Sequence, residues 1–274
     1  MQTGYYAAAG GMVTQFNRLD NIANNLANVN TTGFKKDSLI TGDFMRMYQE
    51  ARDNLPNVNQ TKEGAQFINR TMTRVPQIVE QYTDHTLGGL QKTDNTFDFA
   101  LSKEGLFFAV KTPQGIRLTR DGSFTLNEEG KLLTKQGFEV LPADYESTKK
   151  GIAFNVADTA IETDKNGRFY TNIIGSIKLV QNKKLMIIAP DEMKLLTKEG
   201  SSLYKMDESQ NFTPIKESGA VMQGFVEKSN VNPVQEMVAM IEANRLVGMY
   251  QKAMDSQMTD MNKEAIDKIA TVRG

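Results

Sequence analysis

The sequence predicts an α+β protein, with N- and C-terminal helices paired as a coiled-coil-like domain and a mainly β middle domain inserted between them. Apolar residues recur every three or four positions near both ends of the chain. The middle instead contains short alternating segments separated by glycine and asparagine turns. We therefore expect a terminal helical domain over residues 1–33 and 230–274, an extended connector over 34–84, and a β domain over 85–229.

The first predicted helix covers residues 5–29 and carries one apolar face. The face consists of Tyr5, Ala8, Met12, Phe16, Leu19, Ala23 and Leu26. We expect the helix to stop at Gly33, because glycine adopts the left-handed conformation that often closes a helix. The helix also contains Asn17, Asn21, Asn24, Asn25 and Asn28, although asparagine is a poor helix former. These asparagines form either a solvated polar face or register-fixing hydrogen bonds between packed helices.

The last predicted helix begins at Pro233, because Asn232 is an N-cap candidate and Gln235 completes a capping box. Helical spacing then continues through Met240, Ala243, Val247, Tyr250, Met254, Met258, Met261, Ala265 and Ile269. A helix of this extent is about 55 Å long. Its methionines either repack against neighbours that are not identical or fill an intramolecular bundle.

The middle of the chain predicts strands at residues 106–110, 117–119 and 123–126. Turn signals recur at residues 113–115, 121–122, 129–130, 136–137 and 166–167. Residues 53–75 are polar and have little periodicity, which favours an extended connector.

Composition excludes several classes of function. The net charge of −1 disfavours nucleic acid as the main partner, and the absence of cysteine rules out disulfides and thiolate sites. A single histidine, His85, cannot supply the paired imidazoles of most zinc sites, and it reads as an ordinary loop or core residue. We predict no catalytic residue, no metal and no cofactor. We also expect no cleaved signal peptide and no membrane insertion.

The terminal apolar stripes predict association. A single pair of helices buries one seam and would leave part of each stripe in water. Burial of about eight apolar side chains would contribute on the order of 10–20 kcal/mol before the entropy of ordering is subtracted. Isolated helices are marginally stable, so we expect these termini to become ordered on assembly.

Three segments resemble one family. ANNLANVNTTGFK at residues 23–35 closely resembles the N-terminal signature of the bacterial flagellar rod and hook proteins. LTRDGSF at 118–124, and the segment from QGF at 223–225 through SNVNP at 229–233 to EANR at 242–245, resemble the same family. The length and the single compact middle domain are similar to rod proteins of the FlgG and FlgF type. The opening residues and the connector after Lys36 depart from the commonest FlgG pattern. A specialised paralogue of these proteins is therefore a further alternative.

This resemblance implies a structural, non-enzymatic subunit of the flagellar basal-body rod, the axial drive shaft that spans the periplasm. Terminal helices would form an inner tube and the β domain an outer layer. The implied partners are copies of this chain, other axial proteins of the proximal rod, distal rod or hook, and the flagellar type III export apparatus, which releases these subunits without a cleaved signal.

Periodicity and motif position together predict the residues of the subunit interface. They are Tyr5, Met12, Phe16, Leu19, Asn24, Asn25, Leu26, Asn28, Asn30, Gly33, Phe34, Met240, Asn244, Val247, Tyr250, Met254, Met258 and Met261. One alternative function is an adhesin or carbohydrate-binding β domain on a helical stalk. The other is an enzyme of unrecognised type.

Overall fold

The computed structural model describes residues 2–43, 76–154, 161–173, 176–200, 202–207, 214–215 and 217–271. The helices are α1 (Gln2–Ala27), α2 (Tyr145–Thr148) and α3 (Pro233–Thr271), with a 3₁₀ turn at Met193–Leu195. The strands before α2 are β1 (Asp37–Asp43), β2 (Pro76–Thr83), β3 (Leu90–Lys92), β4 (Phe99–Leu101), β5 (Phe107–Thr112), β6 (Gly115–Thr119), β7 (Phe124–Leu126), β8 (Leu132–Thr134) and β9 (Glu139–Val140). The strands after it are β10 (Ile161–Thr163), β11 (Arg168–Ile173), β12 (Ser176–Lys184), β13 (Ile187–Ile188), β14 (Thr197–Lys198), β15 (Leu203–Lys205), β16 (Val221–Gln223) and β17 (Phe225–Glu227).

The predicted α+β class, with a helix at each end and a mainly β middle, is confirmed. The chain divides into two compact units. We call α1, β1, β2 up to residue 82, and residues 232–271 the helical unit. We call residues 28–36 and the described residues from 83 to 231 the β unit. Residues 28–33, which the sequence grouped with the helices, are thus part of the β unit. Of the predicted connector over 34–84, the described ends carry β1 and β2, and residues 44–75 lie outside the described residues.

In the helical unit, α1 and α3 pack side by side and antiparallel. Gly4 lies near Gln257, and Gly11 lies against the Tyr250 ring. At the other end of α1, Asn25 Nδ2 donates to Glu236 Oε2 at 3.4 Å. Residues nearer the C-terminus of α1 therefore contact residues nearer the N-terminus of α3.

Small and polar side chains form much of the seam between these helices. The buried residues of α1 include Ala8, Gly11, Thr14, Gln15, Ile22 and Asn25, and those of α3 include Glu236, Ala243 and Val247. Because small side chains let two helix backbones approach closely, bulky side chains are left on other faces. Tyr6, Val13 and Phe16 are accordingly exposed on α1.

The predicted start of α3 is confirmed. Asn232 Oδ1 accepts hydrogen bonds from the backbone N–H groups of Val234 at 3.1 Å and Gln235 at 3.3 Å, which is N-capping. The helix continues for 39 residues, or about 58 Å. The end of α1 was predicted too late, since the helix stops at Ala27. Gly33 has the expected positive φ of 67°, but it lies in the segment after the helix.

In the β unit, an eight-stranded sheet has the order β14-β15-β6-β5-β9-β8-β7, with β13 also pairing to β5. The inner strand β5 is buried on both faces. Phe108 and Val110 belong to one apolar cluster, whereas Phe107 and Ala109 belong to a second cluster on the opposite face. Two layers of apolar side chains therefore hold β5 in place.

Four of the five predicted turns are confirmed. Gly130, Gly137 and Gly167 have positive φ and lie between paired strands, and Gly115, also with positive φ, begins β6 directly after the turn from β5. The prediction for Asp121 and Gly122 is wrong, because these residues join β6 and β7, which pair with other strands. The Gly122 carbonyl instead accepts a hydrogen bond from the Phe99 N–H at 2.9 Å, so the segment crosses to a different part of the unit.

The close approach of α1 to α3 generates a test. A Cβ at Gly11 would lie 2.5 Å from Tyr250 Cε1, so Gly11→Leu should push the helices apart and destabilise their pairing by about 1–3 kcal/mol. Thermal unfolding followed by circular dichroism at the helical band measures this change. Gly248→Leu is the matched control, because nothing lies within 4 Å of a Cβ built there. Equal melting temperatures for the two variants would contradict the packing of Gly11 in the seam.

Candidate functional site

The predicted interface residues fall into three groups by exposure. The exposed ones are Phe16, Asn24, Asn30, Asn244 and Met258. The half-buried ones are Tyr5, Met12, Leu19, Leu26, Asn28, Met240, Tyr250, Met254 and Met261. The buried ones are Asn25, Gly33, Phe34 and Val247. The side chains of this last group are already buried by other residues of the same chain, so they have little surface left to contact another subunit.

Sequence reasoning missed the most exposed apolar stripe of α3. This α3 stripe consists of Val234, Met237, Val238 and Ile241, which are 63%, 46%, 51% and 69% exposed. The four residues have helical spacing and lie on one face. Periodicity alone could have found them, but the predicted interface residues of this helix follow the repeat through Met240, Val247 and Tyr250.

The repeat through Met240, Val247 and Tyr250 instead lies in or beside the seam with α1. Val247 is buried, and Tyr250 packs on Gly11. Further exposed apolar residues on α3 are Met249, Met258 and Ile266. Together with Tyr6, Val13 and Phe16 on α1, they give the helical unit apolar surface that its own packing does not cover.

Asn25 links three elements of the helical unit. Its Nδ2 donates to the Asp37 carbonyl at 2.8 Å, and its Oδ1 accepts from the Asp37 N–H at 3.0 Å. Its Nδ2 also contacts Glu236 of α3. Asn25 thus fits the prediction that the helix asparagines form register-fixing hydrogen bonds between packed helices. Asn17 and Asn24 instead fit the alternative of a solvated polar face, because both are exposed.

The motif segment, residues 28–36, is held in the β unit by backbone hydrogen bonds. The Gly33 N–H donates to the Glu227 carbonyl at 2.8 Å, and the Lys36 N–H donates to Asn230 Oδ1 at 2.8 Å. Lys198 Nζ donates to the Lys35 carbonyl at 2.9 Å and lies 3.7 Å from the centre of the Phe34 ring. The segment is thus fastened along its length.

Three buried charged side chains meet at this segment, one of them its own Lys35, and we call Lys35, Arg120 and Glu227 the charged triad. Their side chains are 1%, 2% and 0% exposed. Lys35 Nζ lies 2.5 Å from Glu227 Oε1, and Arg120 Nε donates to Glu227 Oε2 at 2.7 Å. Burial lowers the pKa of the Lys35 ammonium, and the Glu227 carboxylate opposes that change.

The triad is completed by backbone groups. Arg120 also donates to the carbonyls of Leu101, Lys103 and Leu106. Lys35 donates to the Thr86 carbonyl at 2.5 Å. Every charge in the cluster therefore has hydrogen-bonding partners, which is the condition for keeping ions in a protein interior.

Asp121 connects the motif segment to the LTRDGSF segment. Its Oδ1 accepts from Thr32 Oγ1 at 2.7 Å and from the Ser123 N–H at 3.1 Å. Burial raises the pKa of the Asp121 carboxyl, while the Thr32 hydrogen bond lowers it. Two of the segments that carried the family resemblance thus meet in the folded β unit.

These arrangements are suited to holding the chain together. Glu227 is saturated by cations and an N–H group, so it has no open position for a substrate. Among the described residues, no group of three or more acidic or histidine side chains could hold a metal ion. His85 lies in a loop beside Phe107 and Tyr204, at ring separations of 5.7 and 5.4 Å. No helix within the described ranges has the length and apolar character needed to cross a bilayer.

Three family models match separate parts of the chain. The model described as flagella basal body rod protein matches residues 6–35. The model for the flagellar hook protein FlgE/F/G D1 domain matches residues 103–221. The model for the flagellar basal body rod FlgEFG protein C-terminal matches residues 222–267. The matched regions include all three segments that carried the resemblance.

Named relatives are similar along almost the whole chain. A flagellar basal-body rod protein FlgG of Buchnera aphidicola is 31% identical, covering 90% of this chain and 92% of its own length. FlgF of Caulobacter vibrioides is 29% identical, covering 99% of this chain and 100% of its own. FlgG of Borreliella burgdorferi is 30% identical, covering 93% and 95%. FlgG and FlgF relatives thus match at similar levels.

The packing of Gly33 can be tested against a second left-handed glycine. A Cβ at Gly33 would lie 2.3 Å from the Asp121 backbone nitrogen, whereas nothing lies within 4 Å of a Cβ at Gly137. Both glycines have positive φ, so alanine at either site costs about 1–2 kcal/mol of backbone strain. Gly33→Ala should destabilise the protein by at least about 2 kcal/mol more than Gly137→Ala, because it also displaces backbone. Urea unfolding of both variants measures the difference, and equal losses would show that Gly33 is not packed against this backbone.

Proposed function

We propose that this chain, which belongs to the flagellar basal-body rod protein family and is a structural rod subunit rather than an enzyme, polymerises through its terminal helices into the axial drive shaft. The single observation that carries the mode of assembly is the apolar surface of α1 and α3 that the helical unit leaves uncovered.

The α3 stripe is the strongest element of this surface. Ile241 and Val234 are each more than three-fifths exposed, and Met237 and Val238 extend the same face. Complete burial of four such side chains by a neighbouring subunit would contribute on the order of 5 kcal/mol before the entropy of ordering is subtracted. Several stripes of this size, acting together in a polymer, would give a stable contact.

Coiled-coil-like pairing of α1 and α3 is part of the proposal. The positions of α3 that lie in or beside the seam alternate in steps of four and three, which is the heptad spacing of a coiled coil. They are Glu236, Met240, Ala243, Val247, Tyr250, Met254, Gln257 and Met261. This spacing keeps one face of α3 on α1 and turns the α3 stripe outward.

The partners follow from the same surface. The family associates with other axial flagellar proteins. We assign the contacts to copies of this chain and to neighbouring rod or hook subunits, arranged as an open helical polymer with different surfaces on each side. Exposed Met237, Met249 and Met258 suit neighbours that are not identical, because thioethers adapt to differently shaped surfaces.

Location in the basal body follows from the family. The finer proposal is a rod subunit that spans the periplasm and leaves the cell through the flagellar export apparatus without a cleaved signal. Its support is the resemblance of residues 23–35 to the N-terminal signature of the family.

The proposed interface combines the surface-accessible predicted residues with the α3 stripe. From α1 and the following turn it takes Tyr5, Tyr6, Met12, Val13, Phe16, Leu19, Asn24, Leu26, Asn28 and Asn30. From α3 it adds the two exposed predicted residues, Asn244 and Met258. The carbohydrate-binding alternative has less support, since every described aromatic ring of the β unit is buried or half-buried.

A charge placed on the α3 stripe tests the mode of assembly. Val238→Asp with Ile241→Asp should prevent complete rods, because closing the interface would bury two unpaired carboxylates. Rods are counted by electron microscopy of basal bodies isolated from cells in which the variant replaces the normal gene. We expect at least a tenfold loss of complete rods, while circular dichroism of the purified protein stays that of the parent.

The matched control is Gln251→Asp with Lys252→Gln, two exposed changes further along α3 that add the same total charge. This control should assemble normally. Assembly of the stripe variant at the parental level would show that α3 does not polymerise through this face.

A further inference from the structure

We infer that Glu227 is a positioning residue that fastens, at one point of the β unit, the three segments by which the chain runs to and from the helical elements. The inference rests on the proposed function, because a rod subunit under torque needs these segments held. The first segment follows α1, the second follows β2, and the third precedes α3.

Glu227 joins the first two segments through both side chain and backbone. Its Oε1 accepts from Lys35 Nζ at 2.5 Å and from the Gly88 N–H at 2.9 Å. Its carbonyl accepts from the Gly33 N–H at 2.8 Å. Because Glu227 itself ends β17, it also marks the start of the third segment.

Asn230 repeats this linkage three residues later. Its Oδ1 accepts from the Lys36 N–H at 2.8 Å, and its Nδ2 donates to the Asp84 carbonyl at 2.9 Å. A backbone hydrogen bond from the Asp84 N–H to the Lys36 carbonyl at 2.8 Å lies between them. Two side chains of the third segment therefore hold both of the others.

The charges of the triad make Glu227 the decisive member. One buried carboxylate contacts two buried cations, since Arg120 Nε lies 2.7 Å from Glu227 Oε2 and Lys35 Nζ lies on the other oxygen. Removal of the Lys35 charge leaves a neutral Arg120–Glu227 pair. Removal of the Glu227 charge leaves two cations without the carboxylate that contacts both of them, with only the more distant Asp84 acting on Lys35, which is strongly destabilising in a protein interior.

This asymmetry predicts second-site rescue. Glu227→Gln should detach the motif segment from the rest of the β unit. Adding Lys35→Met should partly restore the attachment, because the double variant retains one buried cation, Arg120, which has three backbone acceptors. Lys35→Met alone should have the smallest effect. A role of Glu227 as an ordinary packing residue would not give rescue by a change at Lys35.

Amide hydrogen exchange of the full-length chain measures the three variants. Residues 28–36 and 84–88 should exchange at least about a hundredfold faster in Glu227→Gln than in the parent. Lys35→Met and the double variant should both exchange more slowly than Glu227→Gln, while β5 keeps its protection in all of them. If Glu227→Gln does not fold, recovery of a folded double variant is the same rescue. Equal exchange in the single variants, or a double variant worse than Glu227→Gln, would overturn the inference.

Asn230→Ala separates this inference from the proposed function, because it loosens the same segments without touching charge or the α3 stripe. We expect normal numbers of rods and slower swimming, with faster exchange at residues 28–36. Parental swimming with faster exchange would overturn the role of these contacts in motility and leave assembly through α3 intact. Conversely, normal assembly of the α3 stripe variant would refute the mode of assembly while the exchange order of the Glu227 variants stands.

Discussion

The antiparallel seam between α1 and α3 is the constraint on which the proposed assembly depends. Two helices of this length could have buried their largest apolar side chains against each other. The seam would then be apolar, and the exposed faces of both helices would be polar. Instead, glycines, alanines and polar groups occupy much of the contact, with Gly11 against Tyr250 and Asn25 against Glu236. Close packing of small residues holds the pair together by dispersion and a few hydrogen bonds. Several bulky apolar residues, such as Val13 and Ile241, then remain exposed outside it.

The β unit follows a different physical rule, because its critical contacts are polar and deeply buried. A buried ion pair contributes little net stability compared with apolar residues of the same shape, yet it tolerates few alternative arrangements. Glu227 can accept hydrogen bonds from Lys35 and Arg120 together in one geometry, and its Oε1 also accepts one from the Gly88 N–H. The apolar clusters on either side of β5 supply the stability that these charges do not. Burial of charge thus fixes where the motif segment lies, and apolar packing keeps the unit folded.

Local signals in the sequence predicted the fold class, the start of α3 and four hairpin turns, because capping and turn chemistry act within a few residues. Asn232 and Pro233 needed no information from elsewhere in the chain. The exposed stripe of Val234, Met237, Val238 and Ile241 was not singled out from the sequence, since periodicity reveals an apolar face but not which partner covers it. Lys35 and Glu227 could not be paired from the sequence, because they are separated by 192 positions and each alone reads as a surface charge. Asp121–Gly122 misled for the same reason: its environment is made by Phe99 and Thr32, which are distant in the chain.

The two kinds of contact suit two different demands on a subunit of an axial assembly. Burial of apolar surface is non-directional, so in the proposed assembly a stripe such as Val234, Val238 and Ile241 would suit neighbours of somewhat different shape. Hydrogen bonds to buried charges are directional and lose most of their energy when displaced, so they suit joints that must keep one geometry. A subunit that used charged clusters between copies would assemble with few partners, and one that used apolar stripes to hold its internal segments would let them slide. Apolar stripes on the helices and polar contacts around Glu227 avoid both outcomes.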